Sequence, residues 1–140
     1  FYPRSGPDGA PAGGIVQEHH QVRNSGGMFD VSHMGRVKIT GIHAARLLER
    51  LCTRAIRSMI KGQCRSSFVC NEQDDVIVYR YDEDDFLVVV NASNREKLLP
   101  HFRRVAEAGQ LKVKIDDQTM STAMVAVQGP KVIDFIGKVS

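Results

Sequence analysis

The spacing of apolar residues along the chain predicts short helices and short strands in alternation. The most regular helical pattern spans residues 43–54. Its apolar stripe consists of Ala44, Leu47, Leu48, Leu51 and Cys52. A second helix is predicted for 94–108, where Pro100 should kink the helix or delay its start. A shorter helix, 15–24, ends before a glycine pair.

Strands are predicted where apolar and polar residues alternate, or where Val, Ile, Phe and Tyr are concentrated. These segments are 36–40, 66–71, 76–81, 86–91, 111–115 and 123–127. The acidic turn 82–85 should join the third and fourth of them into a hairpin. Residues 1–14 are rich in proline and glycine, and we expect them to be irregular and mobile.

Helices grouped with a largely antiparallel sheet define an α+β fold. From residue 36 the predicted order is strand, helix, three strands, helix and strand, which favours a ferredoxin-like topology. We therefore expect a ferredoxin-like domain at 34–120, preceded by a segment, 1–33, that contributes to a neighbouring domain. Residues 121–140 should begin the next domain segment. Because another helical pattern starts at 131–136, we expect the chain to continue beyond Ser140.

Composition narrows the classes of function. With 140 residues, of which 42% are hydrophobic and 25% charged, the chain suits one compact domain, or one domain and part of a second. Its formal charge of +3 comes from basic residues interspersed with acidic ones. This balance suits an anionic small molecule or an acidic partner protein better than a nucleic acid. The basic cluster of Arg54, Arg57 and Lys61 is interpreted as a solvated helix end.

Several common kinds of site are not indicated. The three cysteines form no close pair, so neither a zinc site nor a disulfide framework is predicted. Adjacent His19 and His20 cannot share one helix face, and we expect no metal site. Ser32 and His33 lack a third member of a catalytic triad. No apolar run approaches the roughly 18 to 20 residues of a membrane span, and no signal peptide is evident. We expect an intracellular protein, in the cytoplasm by preference or in the mitochondrion of a eukaryote.

An acidic pair precedes the predicted strand 76–81. Strand alternation places Asp75 on one face with Ile77 and Tyr79, and Asp74 on the other face with two valines. A carboxylate beside an apolar residue and a phenol makes the better recognition surface, which favours Asp75. The alternative is that both carboxylates serve turn chemistry by capping backbone N–H groups.

Two further residues suit a flat ligand. Asn91 offers an amide donor and acceptor at the end of a strand, and the thioether of Met34 can lie against a ring. An acid, an amide, an apolar patch and an aromatic group together suit a planar heterocycle such as a pterin. Asn91 also precedes a helix, as do Ser93 and Asn94, and one of the three should cap it; Ser93 or Asn94 is better placed.

Several collinear blocks resemble the N-terminal portion of the aminomethyltransferase family, the T-protein of the glycine cleavage system. The blocks are Gly14-Ile-Val-Gln-Glu-His-His, Phe29-Asp-Val-Ser-His-Met-Gly, Asp74-Asp-Val-Ile-Val-Tyr, Val89-Val-Asn-Ala-Ser-Asn-Arg-Glu-Lys and Ala126-Val-Gln-Gly-Pro-Lys. The resemblance covers nearly the whole chain but only roughly two-fifths of a usual member. We expect this 140-residue portion alone to be a poor catalyst.

The resemblance implies a function and a set of site residues. Members of the family transfer a methylene group from an aminomethyl-dihydrolipoyl carrier protein, the H-protein, to tetrahydrofolate and release ammonia. Asp75 matches the family's essential aspartate, which sits near the reactive nitrogens of the folate and is implied to be catalytic. Residues that match folate-lining positions are Met34, Ile77, Tyr79, Val89 and Asn91. The domain at 34–120 would then be the folate-binding domain.

The chain also departs from the family pattern. Relatives have a Gly-Gly-apolar-x insertion before the residue matching Asp74, and they have a tyrosine where this chain has Ser66. The gap suggests that loop residues of the parent protein are missing before Asp74. Related alternatives are the folate domain of a dimethylglycine or sarcosine oxidising enzyme and a non-catalytic folate-binding factor of iron-sulfur protein assembly. A structural α+β fragment without a ligand is the simplest alternative.

Overall fold

This computed structural model describes residues 14–69 and 74–136, with side chains as far as Asp134. The predicted mobile segment 1–14, apart from Gly14, and the end of the predicted strand 66–71 lie outside the described residues. The helices are α1 (Ile15–Asn24), α2 (Ala44–Leu51), α3 (Arg95–Ala108) and α4 (Val132–Ile136). The strands are β1 (Gly27–Asp30), β2 (Gly35–Thr40), β3 (Cys64–Val69), β4 (Asp74–Asp82), β5 (Asp85–Val90), β6 (Lys114–Asp117) and β7 (Val125–Gln128).

The chain divides into two compact units, residues 32–123 and residues 1–31 with 124–140. In the first unit, five antiparallel strands form a sheet in the order β3-β4-β5-β2-β6. The order β6-β2-β5-β4 is that of a ferredoxin-like fold, and β3 extends the sheet at its edge. The α+β class and the predicted hairpin of β4 with β5 are confirmed. The predicted domain boundaries at 34 and 120 stay a prediction.

One face of this sheet, which we call the helix face, packs against α2 and α3 to form the core. Alternate strand residues supply the sheet side, as expected for a sheet covered on one side. Its fully buried members include Val37, Ile39, Val78, Phe86 and Val88 from the strands and Leu47, Leu48, Leu98 and Phe102 from the helices. The apolar stripe predicted for the first long helix is therefore confirmed as core.

Helix α2 is shorter than the predicted segment 43–54 and ends at Leu51. Cys52 is extended, and the N–H of Thr53 donates to the Phe68 carbonyl at 2.9 Å instead of continuing the helix. The Glu49 carboxylate accepts from the backbone N–H groups of Ile56 and, at 2.6 Å, of Arg57. The chain after Leu51 is thus bound to β3 and to its own helix. The predicted solvated helix end at Arg54, Arg57 and Lys61 is wrong, since these residues follow the helix in a loop.

The other long helix and the strand after it also show how tertiary contacts set element bounds. Helix α3 starts at Arg95 and runs through Pro100, which provides no N–H for the Glu96 carbonyl. The predicted strand 111–115 begins only at Lys114. Before it, the N–H of Leu111 donates to the Ala106 carbonyl at 2.9 Å and the N–H of Lys112 to His43 Nδ1 at 2.9 Å. These donors are therefore used at the helix ends and not in the sheet.

The second unit contains α1, β1, β7 and α4. β1 and β7 pair antiparallel from Gly27 with Gln128 to Asp30 with Val125. Gly129 has a φ of +134°, and a Cβ there would lie 2.5 Å from the Gly26 Cα, so this close approach requires glycine. Helix α1 contains no buried residue.

Candidate functional site

The sheet face opposite the helices carries the favoured carboxylate. Along β4, Asp74 is buried on the helix face and Asp75 is exposed on the opposite face, so the predicted alternation is confirmed. Across the β3–β4 pair, Phe68 faces Asp75 and Ser66 faces Ile77. Facing side chains in an antiparallel pair have Cβ atoms about 4.5–5.5 Å apart, so these side chains are direct neighbours.

A cavity of about 400 Å³ opens on this face, which we call the cavity face. Five of the six predicted site residues line the cavity, namely Met34, Asp75, Ile77, Val89 and Asn91. The other lining residues are Arg54, Ser66, Ser67, Phe68 and Val76. In the register of β4 and β5, Val76 pairs with Val90, so Asn91 follows at the level of Asp75. The structure therefore gathers the five predicted residues, which come from three separate sequence segments, around one cavity.

Tyr79 is the predicted site residue that the structure does not place in the cavity lining. It lies two positions beyond Ile77 along β4, a distance of about 7 Å along a strand, and pairs with Cys64. Burial raises the pKa of the Tyr79 phenol, and Cys64 and Tyr81 add to this shift. A contact of Tyr79 with folate stays a prediction.

Asp74 has a structural environment. Its carboxylate accepts hydrogen bonds from the amide Nδ2 of Asn94 and from Lys97 Nζ, the latter at 3.1 Å. Both partners lie at the start of α3, so Asp74 ties β4 to that helix. The alternative of turn chemistry does not describe Asp74, which is the first residue of a paired strand.

The prediction that Asn91, Ser93 or Asn94 caps the helix is wrong. Asn94 occupies the N-cap position of α3, but its side-chain oxygen accepts no cap hydrogen bond, and its Nδ2 donates to the Asp74 carboxylate. The Ser93 hydroxyl lies 3.4 Å from Asn94 Oδ1 and does not cap the helix. Asn91 likewise makes no side-chain cap hydrogen bond, and its amide lines the cavity.

A buried arginine holds the segment that contains Met34. Arg36 is 4% exposed, and its guanidinium donates to the carbonyl of Met34 at 2.7 Å and to that of Ser32 at 3.1 Å. Further donors reach Thr122, with Nε 2.8 Å from Oγ1 and Nη2 2.9 Å from the carbonyl oxygen, and the Thr119 carbonyl. Arg36 therefore joins segment 32–34, which includes Met34, to segment 119–122.

Asp117 extends this network to α3. Burial acts to raise the pKa of its carboxyl, but hydrogen bonds from Thr119 and Arg95 outweigh burial, and the net shift is downward. Arg95 Nε lies 2.8 Å from Asp117 Oδ2. The ionised carboxylate is thus a fixed part of the scaffold that holds α3.

Arg54 and Phe68 are lining residues that sequence reasoning did not assign to the site. Phe68 is 53% exposed although it is a large aromatic residue, and alternation along β3 places it on the same face as Ser66. The alternation was readable in the sequence, but the pairing of Phe68 with Asp75 was not. Arg54 was grouped with a helix end, and only the early end of α2 brings it to the cavity.

The described residues contain neither a metal-binding cluster nor a membrane-spanning helix. Among them, no group of three or more His, Cys, Asp or Glu side chains is arranged to hold a metal ion. The helices within 14–69 and 74–136 include none that is long and apolar enough to cross a membrane.

Comparisons with known proteins agree on one family. The model of the GCVT N-terminal domain matches residues 2–140. An aminomethyltransferase of Rubrobacter xylanophilus is 50% identical over 122 residues, which are 84% of this chain and 32% of that protein. An aminomethyltransferase of Clostridium botulinum (strain Okra) is 37% identical over 130 residues, which are 90% of this chain and 35% of that protein.

A solved structure gives the same result. The glycine cleavage system aminomethyltransferase T from Bartonella henselae matches with a TM-score of 0.81 at 26% identity, over 98% of this chain and 37% of that one. The chain thus spans about a third of the length of the relatives that it matches. The chain belongs to the aminomethyltransferase family, and its sequence corresponds to the family's GCVT N-terminal domain.

Proposed function

We propose that the protein transfers a methylene group from an aminomethyl-dihydrolipoyl carrier protein to tetrahydrofolate, with release of ammonia. The observation that carries this proposal is the placement of Asp75, Asn91 and three apolar side chains around one cavity. Membership of the family supports the same reaction. The bacterial relatives favour the cytoplasm as its location.

The cavity has the size and chemistry that a reduced pterin requires. Small-molecule sites typically enclose about 300–1,000 Å³ and combine an apolar lining with a few polar groups. Met34, Ile77 and Val89 offer thioether and aliphatic surface for the ring face, while Asp75 and Asn91 offer hydrogen bonds to the ring edge. We propose that tetrahydrofolate binds here as the co-substrate.

In this proposal Asp75 acts on the attacking amine of the folate. The amine nitrogen must lose a proton as it bonds to the methylene carbon, and an ionised carboxylate within hydrogen-bond reach favours that loss. Asp75 lies on a strand that is paired on both sides, so its backbone is held in place. Much of the remaining acceleration would come from holding the two reactants together. The carrier protein would deliver the aminomethyl group to the cavity. Two folate nitrogens would bond to the methylene carbon as its bonds to the amino nitrogen and to the dihydrolipoyl sulfur break, and the two protons that these nitrogens lose would leave on ammonia and on the carrier thiol.

The test is Asp75→Asn in the protein at its native length. We expect folate-dependent ammonia release from the aminomethyl-loaded carrier to fall by roughly 10²- to 10⁴-fold, because general-base catalysis typically contributes that much. Asp84→Asn, at the exposed turn between β4 and β5, is the matched control and should keep full activity. Full activity of Asp75→Asn would contradict the proposal.

The alternative enzymes that share this domain, those oxidising dimethylglycine or sarcosine, have no particular observation in their favour. The same holds for an iron-sulfur assembly factor. The named relatives are aminomethyltransferases, so we propose that function alone.

A further inference from the structure

The segment after α2 is fixed against the edge strand β3. Cys52 bridges to Val69, and the N–H of Thr53 donates to the Phe68 carbonyl at 2.9 Å. The N–H of Arg54 donates to the Ser67 hydroxyl at 3.2 Å. Three successive residues are thus bound to β3 through their backbones. The side chain of Arg54 is therefore presented at the cavity from a backbone held in one position.

The guanidinium of Arg54 differs from those of its neighbours. Arg65 donates to the Ala55 carbonyl and, at 2.9 Å, to the Ser58 hydroxyl, so it holds the loop after α2. Arg80 donates to the Met59 carbonyl of the same loop. Within the described part of the chain, Arg54 lines the cavity and its guanidinium has no hydrogen-bond or ion-pair partner. Its donors are available to a ligand.

Phe68 stands on the same side of the cavity. Its ring is about half exposed and faces Asp75 across the strand pair. Ser66, the next residue on this face of β3, is small, which leaves room beside the ring. An exposed aromatic side chain that lines a cavity offers a flat surface on which another ring can stack.

We propose that Arg54 and Phe68 form a second recognition wall, which selects a ligand with an aromatic ring and a carboxylate outside the part held by Asp75 and Asn91. For the identity of the ligand this inference rests on the proposed function, since a folate carries a benzoyl ring and glutamate carboxylates beyond its pterin. Phe68 stacks on the benzoyl ring, and Arg54 binds a carboxylate through charge-assisted hydrogen bonds. The cavity then prefers anionic reduced folates over neutral reduced pterins.

The experiment compares two ligands by calorimetric titration into the full chain. Tetrahydrofolate carries the benzoyl-glutamate portion, and tetrahydrobiopterin lacks it. We expect Arg54→Gln to weaken tetrahydrofolate by roughly tenfold, the scale of one charge-assisted hydrogen bond near solvent, and to leave tetrahydrobiopterin unchanged. Phe68→Ala should also weaken tetrahydrofolate selectively. Arg57→Gln, at an exposed arginine of the same loop that does not line the cavity, is the control and should change neither affinity.

Each result decides between roles. Equal weakening of both ligands by Arg54→Gln would mean that Arg54 acts through Asp75 or the pterin site, and it would overturn the second wall. Unchanged affinity for both ligands would overturn it as well. In either case, weaker binding of tetrahydrofolate by Asp75→Asn would leave the proposed function standing. If the unmodified chain bound neither ligand, the proposed function and the ligand class would both be refuted.

Discussion

Asp74 and Asp75 are adjacent and chemically identical, but they lie on the two faces of one sheet and have different surroundings. Asp74 is buried on the helix face, where Asn94 and Lys97 bind its carboxylate. Asp75 is exposed on the cavity face, where it faces Phe68. The difference shows that the position of the helices, and not the residue type, decides which carboxylate is available to a ligand.

The helix face uses its carboxylates to hold α3. Asp74 binds the first turn of the helix through Lys97, and Asp117 on β6 binds Arg95. Acidic groups near a helix N-terminus are also favoured by the helix dipole. On the cavity face Asp75 has no such role, which fits a group that is kept for chemistry.

The cavity face also carries a structural residue, Arg36, and its substitution should have the largest effect on stability. Arg36 points to that face but is buried and donates to four backbone carbonyls. Arg36→Met would leave those carbonyls without their donors, so we expect the free energy of unfolding to fall by about 3 kcal/mol or more. Urea unfolding measures this change. Arg46→Met, at an exposed arginine of α2, is the control and should have an effect within about 0.5 kcal/mol.

If Arg36→Met kept the stability of the unmodified chain, the hydrogen bonds of Arg36 would not stabilise the fold. The polar residues that stabilise the fold would then lie on the helix face and not on the cavity face. Weaker ligand binding together with lower stability would instead show that Arg36 positions Met34.

A direct test of the comparison is the pair Asp74→Ala and Asp75→Ala. We expect Asp74→Ala to lower the free energy of unfolding by about 1–2 kcal/mol, because two donors lose their acceptor. Asp75→Ala should stay within about 0.5 kcal/mol of the unmodified chain, as is usual for an exposed residue. Chemical denaturation of both variants gives the answer. Equal losses would show that the two faces do not differ in the way proposed.

The smallest effect concerns acid stability. The folded state lowers the pKa of Asp117 from its ordinary value of 3.8, so the ionised carboxylate stabilises the fold above that pH. This contribution is lost as the pH falls through the lower pKa of the folded state. Asp117→Asn should therefore reduce stability near about pH 5 and less near about pH 3, as measured by urea midpoints. Asp84→Asn controls for the loss of one negative charge. If Asp117→Asn lost the same stability at both pH values, the expectation would be contradicted.

Much of the fold followed from local pattern. The period-two alternation around Asp75 and the helical stripe of α2 are properties of a few consecutive residues, and both were confirmed. Local pattern failed where long-range partners compete for backbone donors. Helix α2 ends early because Thr53 donates to Phe68, and β6 begins late because Leu111 and Lys112 donate elsewhere.

The candidate site divides in the same way. The resemblance pointed to Asp75 and the lining residues, and the structure places five of the six around one cavity. Tyr79, which pairs with Cys64 farther along β4, is not among the lining residues, and no local pattern reveals this. The sequence makes Asn94 a candidate cap for α3, but in the structure its Nδ2 donates to the buried carboxylate of Asp74 on β4, a partner that no local pattern reveals.

By itself the sequence determined the α+β class, the order of the elements from residue 36 onward and the side of the strand on which each aspartate lies. These depend on chain periodicity, which is local. Only the tertiary structure decided which of the two faces the helices cover, that Phe68 faces Asp75, and that Arg54 reaches the cavity. Strand register and the path of a loop follow from the packing of the whole unit, because each backbone donor and each apolar side chain can be satisfied in several ways until the others are in place.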